Sequence, residues 1–185
     1  MAASRNKKKN GNRRAFALLL ALILLLCGAI LAVRMRSHSK YEPLIRQYAR
    51  QYGVPEAFAL AVAETESHFK ADAVSRAGAL GLMQITPETF EWLQTKTGES
   101  LPTDALFDPE VSVRYGVFFL SMLLERFGDT DTAAAAYNAG MNAVARWLEN
   151  PEYSDDGVHL KNIPIDETRY YVVKIQKAFR KYNKS

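Results

Sequence analysis

Residues 15–33 read AFALLLALILLLCGAILAV, nineteen consecutive positions without a charge. As a helix with ~1.5 Å rise per residue the run would be about 28 Å long, close to the ~30 Å of a bilayer's hydrocarbon core. It therefore separates the chain into an apolar anchor and everything that follows. Six basic residues precede the run and three follow closely, so the heavier positive flank predicts an N-terminus in the cytoplasm. A cleaved signal peptide shares the basic start but has a shorter apolar stretch and small residues at the cut. Cys27-Gly28-Ala29 fits a cleavage site poorly, and Leu26 fits poorly as the residue before a lipidated cysteine. All three readings put the rest of the chain outside the cytoplasm. The expected organisation is a basic cytoplasmic stretch (1–14), a single-pass signal anchor (15–33), a short linker (34–40) and a globular domain (41–185).

The net charge of +4 is unevenly spread. Residues 1–40 hold nine basic side chains and no acids, leaving 15 basic against 20 acidic residues in 41–185, a balance of −5. The globular part thus lacks the basic surplus of a nucleic-acid binder, and none is expected as a partner. The single cysteine, Cys27, lies in the apolar run, so residues 41–185 can form neither a disulfide nor a cysteine-ligated metal site.

Helical spacing dominates that part. Leu44, Ile45, Tyr48 and Ala49 mark a first helix ending near Gly53, and Pro55 opens a second that reaches about His68. Residues 70–82, with Gly78 and Gly81, read as a loop or short extended segment. Thr86-Pro87 starts a third helix through Trp92, and Asp108-Pro109-Glu110 a long one closed by Gly128. DTDTAAAAYNAG, MNAVARWLEN and a segment from about Asp166 complete the set. The fold class is mainly α, with a small irregular or β patch near 70–85.

Glu66 closes an apolar helix immediately before the glycine-punctuated loop. Burial there and the negative helix end would both raise its pKa, which suits a general acid. On position alone Glu64 is an equal candidate. The two cannot form a working pair, because residues two apart do not share a helix face. Glu64 and His68, four apart, have the spacing of two metal ligands but no accompanying His or Cys cluster, and no metal is expected.

The surrounding residues single out Glu66. Glu66-Ser67-His68-Phe69, followed by Ser75-Arg76-Ala77-Gly78-Ala79 and Gly81-Leu82-Met83-Gln84-Ile85-Thr86-Pro87, resembles the signature of the soluble lytic transglycosylase (SLT) domain family, a lysozyme-like, goose-type-related fold. Ala136-Tyr137-Asn138-Ala139-Gly140 is similar to the family's A-Y-N-A-G motif. Ile163-Pro164-Ile165 with Glu167-Thr168-Arg169-Tyr170-Tyr171-Val172 resembles its closing motif. The resemblance covers about 41–180. It implies Glu66 as the single catalytic carboxylate. It further implies Ser75, Met83, Gln84, Tyr137, Asn138, Glu167 and Tyr171 as residues of the sugar-binding cleft. Thr86 departs from the methionine common after G-L-M-Q-I, which puts the shape of a sugar subsite in doubt. Ser112 departs from an asparagine common after D-P-E and is expected to change a structural hydrogen bond.

The implied activity is cleavage of peptidoglycan between N-acetylmuramic acid and N-acetylglucosamine, ending in a 1,6-anhydro ring, with no cofactor. A muramidase sharing fold and acid but delivering water is the nearest alternative. A non-catalytic wall-binding module is the alternative from another class. Glycan strands and the membrane are the expected partners; the residues specify no partner protein.

Overall fold

The structure, a computed structural model, describes Phe16, residues 19–28 and residues 40–184. The chain divides into two units, Met1–Ser37 and His38–Ser185. In the first, residues 19–28 are helical with exposed side chains. No helix among the described residues is long and apolar enough to cross a membrane. Part of the span expected over 15–33 lies outside the described residues, as do 1–14 and nearly all of the linker.

Seven α-helices build the described residues of the second unit. They are α1 (40–51), α2 (Glu56–Ser67), α3 (Pro87–Thr97), α4 (Pro109–Phe127), α5 (Thr130–Ala139), α6 (Met141–Leu148) and α7 (Asp166–Tyr182). Their starts follow local chemistry. Thr86 accepts from the Thr89 amide at α3, Asp108 from Glu110 and Val111 at α4, and Asp129 from Thr132 at α5. Pro87 and Pro109 occupy first-turn positions that need no amide donor. Gly98 and Gly128 end their helices in the left-handed conformation.

Helix α2 is buried on nearly every side, from Ala57 through Ala63. A helix apolar all round belongs in the middle of a core. It packs most extensively against α7, which in turn packs on α5. The mainly helical expectation holds. The patch at 70–85, expected as irregular or β, is irregular and contains no strand. Its β character is two isolated antiparallel bridges, Val74 with Leu80 and Leu80 with Ile85. A third bridge, Ser154 with Leu160, and a 3₁₀ turn over Thr103–Phe107 carry no periodic sequence signal.

Candidate active site

The end of α2 is where the candidate residues meet. His68 and Phe69 both adopt positive φ, 52° and 60°, so the chain turns sharply just after Glu66. Such conformations are costly for residues with a Cβ and persist only when the surroundings fix them. Two contacts do so here. Phe69 is buried, and the Ser67 hydroxyl donates to the Leu82 carbonyl at 2.8 Å, tying the helix end to the 70–85 loop.

That loop is held by Gln84, whose amide donates to the carbonyls of Ala73 at 3.1 Å and Gly81 at 2.8 Å. Ser75 accepts from the Ala79 amide at 3.0 Å, which leaves its proton for another acceptor. Gly81 is required twice over: its φ is 75°, and a Cβ there would sit 2.0 Å from the Leu106 carbonyl oxygen. Beneath the loop, Gly116 of α4 lets Met83 approach; a Cβ would lie 2.5 Å from its side chain.

Met83 is fully buried. The expectation that it lines the sugar cleft is therefore corrected, because its side chain packs against α4 and only its backbone serves the site. Its carbonyl accepts from the Tyr137 hydroxyl at 2.7 Å, and its amide donates to Ser112 at 3.1 Å. Ser112, in the first turn of α4, is itself fully buried and takes this structural hydrogen bond through its hydroxyl.

Glu66 sits among these groups half-buried, with the Tyr171 hydroxyl donating to Oε1 at 2.6 Å. Burial pushes its carboxyl up to about 7, against a smaller lowering by the Tyr171 hydrogen bond. No other charged side chain contributes to that shift. Burial and the neighbouring Glu66 charge hold Tyr137 and Tyr171 well above the usual phenol range, so both remain donors at neutral pH. Glu64 is turned roughly 200° away around the helix. It accepts from Lys181 at 2.9 Å and from Tyr182 at 2.7 Å, so it is occupied in pinning α7 to α2.

Asn138 is exposed beyond Tyr137, and its carbonyl oxygen accepts from Thr168 at 2.8 Å, joining α5 to α7. Its amide protons stay available. Glu167 is exposed one turn before Tyr171 on α7. The structure thus gathers Glu66, Tyr171 and Tyr137 closely, with Ser75 and Gln84 on the loop and Asn138 and Glu167 exposed on α5 and α7. Ser67 and Ser112 support the site and were not among the expected site residues. Their signal was the serine after Glu66 and the departure after D-P-E.

The profile of the family described as "Transglycosylase SLT domain" matches residues 43–159. The chain belongs to this family. A membrane-bound lytic murein transglycosylase C of Haemophilus influenzae is 31% identical over 166 residues, covering 77% of this chain and 46% of that protein. The soluble lytic murein transglycosylase of Escherichia coli K12 is 36% identical over 137 residues, covering 71% and 21% respectively. The chain thus spans less than half the length of these curated relatives. Among solved structures, an inactive glutamate-to-glutamine mutant of lytic transglycosylase Slt from Pseudomonas aeruginosa aligns with a TM-score of 0.68 and 34% identity. That alignment covers 77% of this chain and 24% of the other. A 70-kDa soluble lytic transglycosylase bound to bulgecin A aligns with the same TM-score at 29% identity.

Proposed function

We propose that residues 41–185 are a peptidoglycan lytic transglycosylase in which Glu66 alone serves as acid and then as base. The observation that carries this reading is the Glu66 carboxyl, desolvated to a pKa of about 7 with one phenol donor and no charged neighbour shifting it. Glycosidases of the usual kind set two carboxylates across the bond. A lone carboxyl poised near neutrality instead suits one group that gives and then takes a proton. The lytic murein transglycosylase names of the relatives support the same substrate.

In the proposed reaction Glu66 donates its proton to the oxygen joining muramic C1 to the glucosamine. The C1–O bond breaks, and the electron pair leaves with the now-protonated glucosamine oxygen. The muramic 2-acetamido group steadies the positive charge at C1. The Glu66 carboxylate then removes the proton of that sugar's C6 hydroxyl, O6 bonds to C1, and the 1,6-anhydro ring closes without water. Nucleophile and electrophile belong to one sugar residue, so little entropy opposes closure.

Tyr171 positions the carboxyl throughout. Ser75, Gln84, Asn138, Glu167 and the Tyr137 ring contribute sugar contacts from the walls around it. The apolar run 15–33 anchors the domain with its N-terminus in the cytoplasm; the membrane-bound name of one relative supports membrane association. Digestion of insoluble peptidoglycan tests the assignment. Glu66→Gln should lower fragment release by roughly 10²–10⁴-fold, the span usual for a lost acid/base group. Unchanged release would remove Glu66 from the chemistry.

A further inference from the structure

Helix α7 has a face that the proposed reaction does not use. Tyr170, Val173, Lys174, Lys177 and Arg180 are exposed, as is Lys184 just beyond the helix. At ~100° per residue these positions fall within roughly 120° of arc, opposite the side formed by Tyr171, Val172, Ile175 and Ala178 that is buried in the core. Tyr170, with the Arg169 guanidinium over its ring at 5.9 Å, is 64% exposed, and Val173 is 54% exposed. Lys181 is paired with Glu64 and Arg169 with Asp166. Among the described residues Lys174, Lys177, Arg180 and Lys184 have no acid partner.

Charge in the domain is strongly divided. Residues 166–185 hold six basic side chains against Asp166 and Glu167, whereas 41–165 hold nine against eighteen acids. An anionic surface would therefore attract α7 and repel most of the remainder. Glu42, in the first turn of α1, is among the charges acting on the Tyr182 phenol of α7. Only residues 34–39 separate α1 from the apolar run, a reach of about 20 Å when fully extended.

We propose that the exposed face of α7 docks on a membrane surface through anionic phospholipid headgroups. Basic side chains near such a surface are drawn to it, and tyrosine favours the interfacial layer. The apolar pair Tyr170 and Val173 argues for lipid over a hydrated phosphate polymer, which offers them nothing to bury against. The choice of lipid also rests on the tether proposed for 15–33.

Residues 41–185 suffice for the test, because the hydrophobic core among the described residues is drawn from that span. The probe is sedimentation with phosphatidylcholine vesicles, with or without phosphatidylglycerol. Binding should need the anionic lipid and weaken with added salt. It should fall on the order of tenfold or more in Lys174→Glu/Lys177→Glu/Arg180→Glu. Cleavage of dispersed peptidoglycan should persist in that variant, showing that it folds; the corresponding triple glutamine variant should show a smaller loss. No vesicle binding, equal binding to neutral vesicles, or binding only to purified anionic wall polymer would overturn the proposal. Residues 1–40 are absent from this experiment, so failure of the tether would show separately, as release of the full chain from membranes by a high-salt wash.

Discussion

The phenol of Tyr171 and the carboxyl of Glu66 meet across 105 positions of sequence, at 2.6 Å. The hydrogen bond lowers the Glu66 pKa while burial raises it, and burial prevails. Proton donation requires the acid form, so kcat/KM should fall as pH rises through about 7. In Tyr171→Phe the opposing hydrogen bond is gone and that limb should move upward. The expected shift is about one unit, the equivalent of a hydrogen bond to a charged group worth ~1.5 kcal/mol. A pH–rate profile checks it, and a downward shift would contradict the role given to Tyr171. The same carboxyl affects stability. Its folded pKa lies above the unfolded one, so the unfolded chain loses its proton first as pH rises. Stability is therefore greatest below about pH 4.5 as far as this group is concerned, and declines toward and through pH 7. The full displacement corresponds to roughly 3 kcal/mol. Glu66→Gln should consequently raise the melting temperature at pH 8 and do little at pH 4, as calorimetry at the two values would record.

Helix α4 acts as the floor of the site through two small residues, Ser112 and Gly116. Gly116→Ala would drive a methyl into Met83 and displace the carbonyl that holds Tyr137. It should cost about 1–3 kcal/mol in a urea titration and reduce activity with Glu66 untouched. Most helices were legible in the sequence because their signals are local: a cap at Asp108 with Pro109, a stop at Gly128, and apolar spacing between. Met83 was misread because nothing local distinguishes a methionine facing sugar from one facing Gly116. The Thr103–Phe107 turn has too few residues to show a period. The irregular or β patch expected near 70–85 is irregular, made of glycine turns and Gln84 hydrogen bonds joined by isolated bridges. The family's ordered motifs brought Tyr171 and Tyr137 into the site, although the sequence alone could not say that one holds the acid and the other holds the loop.

Residues 41–185 contain one core, and the charge division between α7 and the remainder gives that core a direction. Deleting residues 1–40 should leave only a salt-sensitive hold on the membrane fraction, through α7, and leave cleavage of isolated peptidoglycan intact, because the core among the described residues lies within 41–185. Fractionation together with a digestion assay would detect either failure. The central claim is that the lone carboxyl of Glu66 both opens the glycosidic bond and closes the ring. Mass spectrometry of fragments released from purified peptidoglycan measures that outcome directly. The account predicts 1,6-anhydromuramic ends from the wild-type protein and none above background from Glu66→Gln. Reducing muramic ends, formed with the uptake of water, would contradict it.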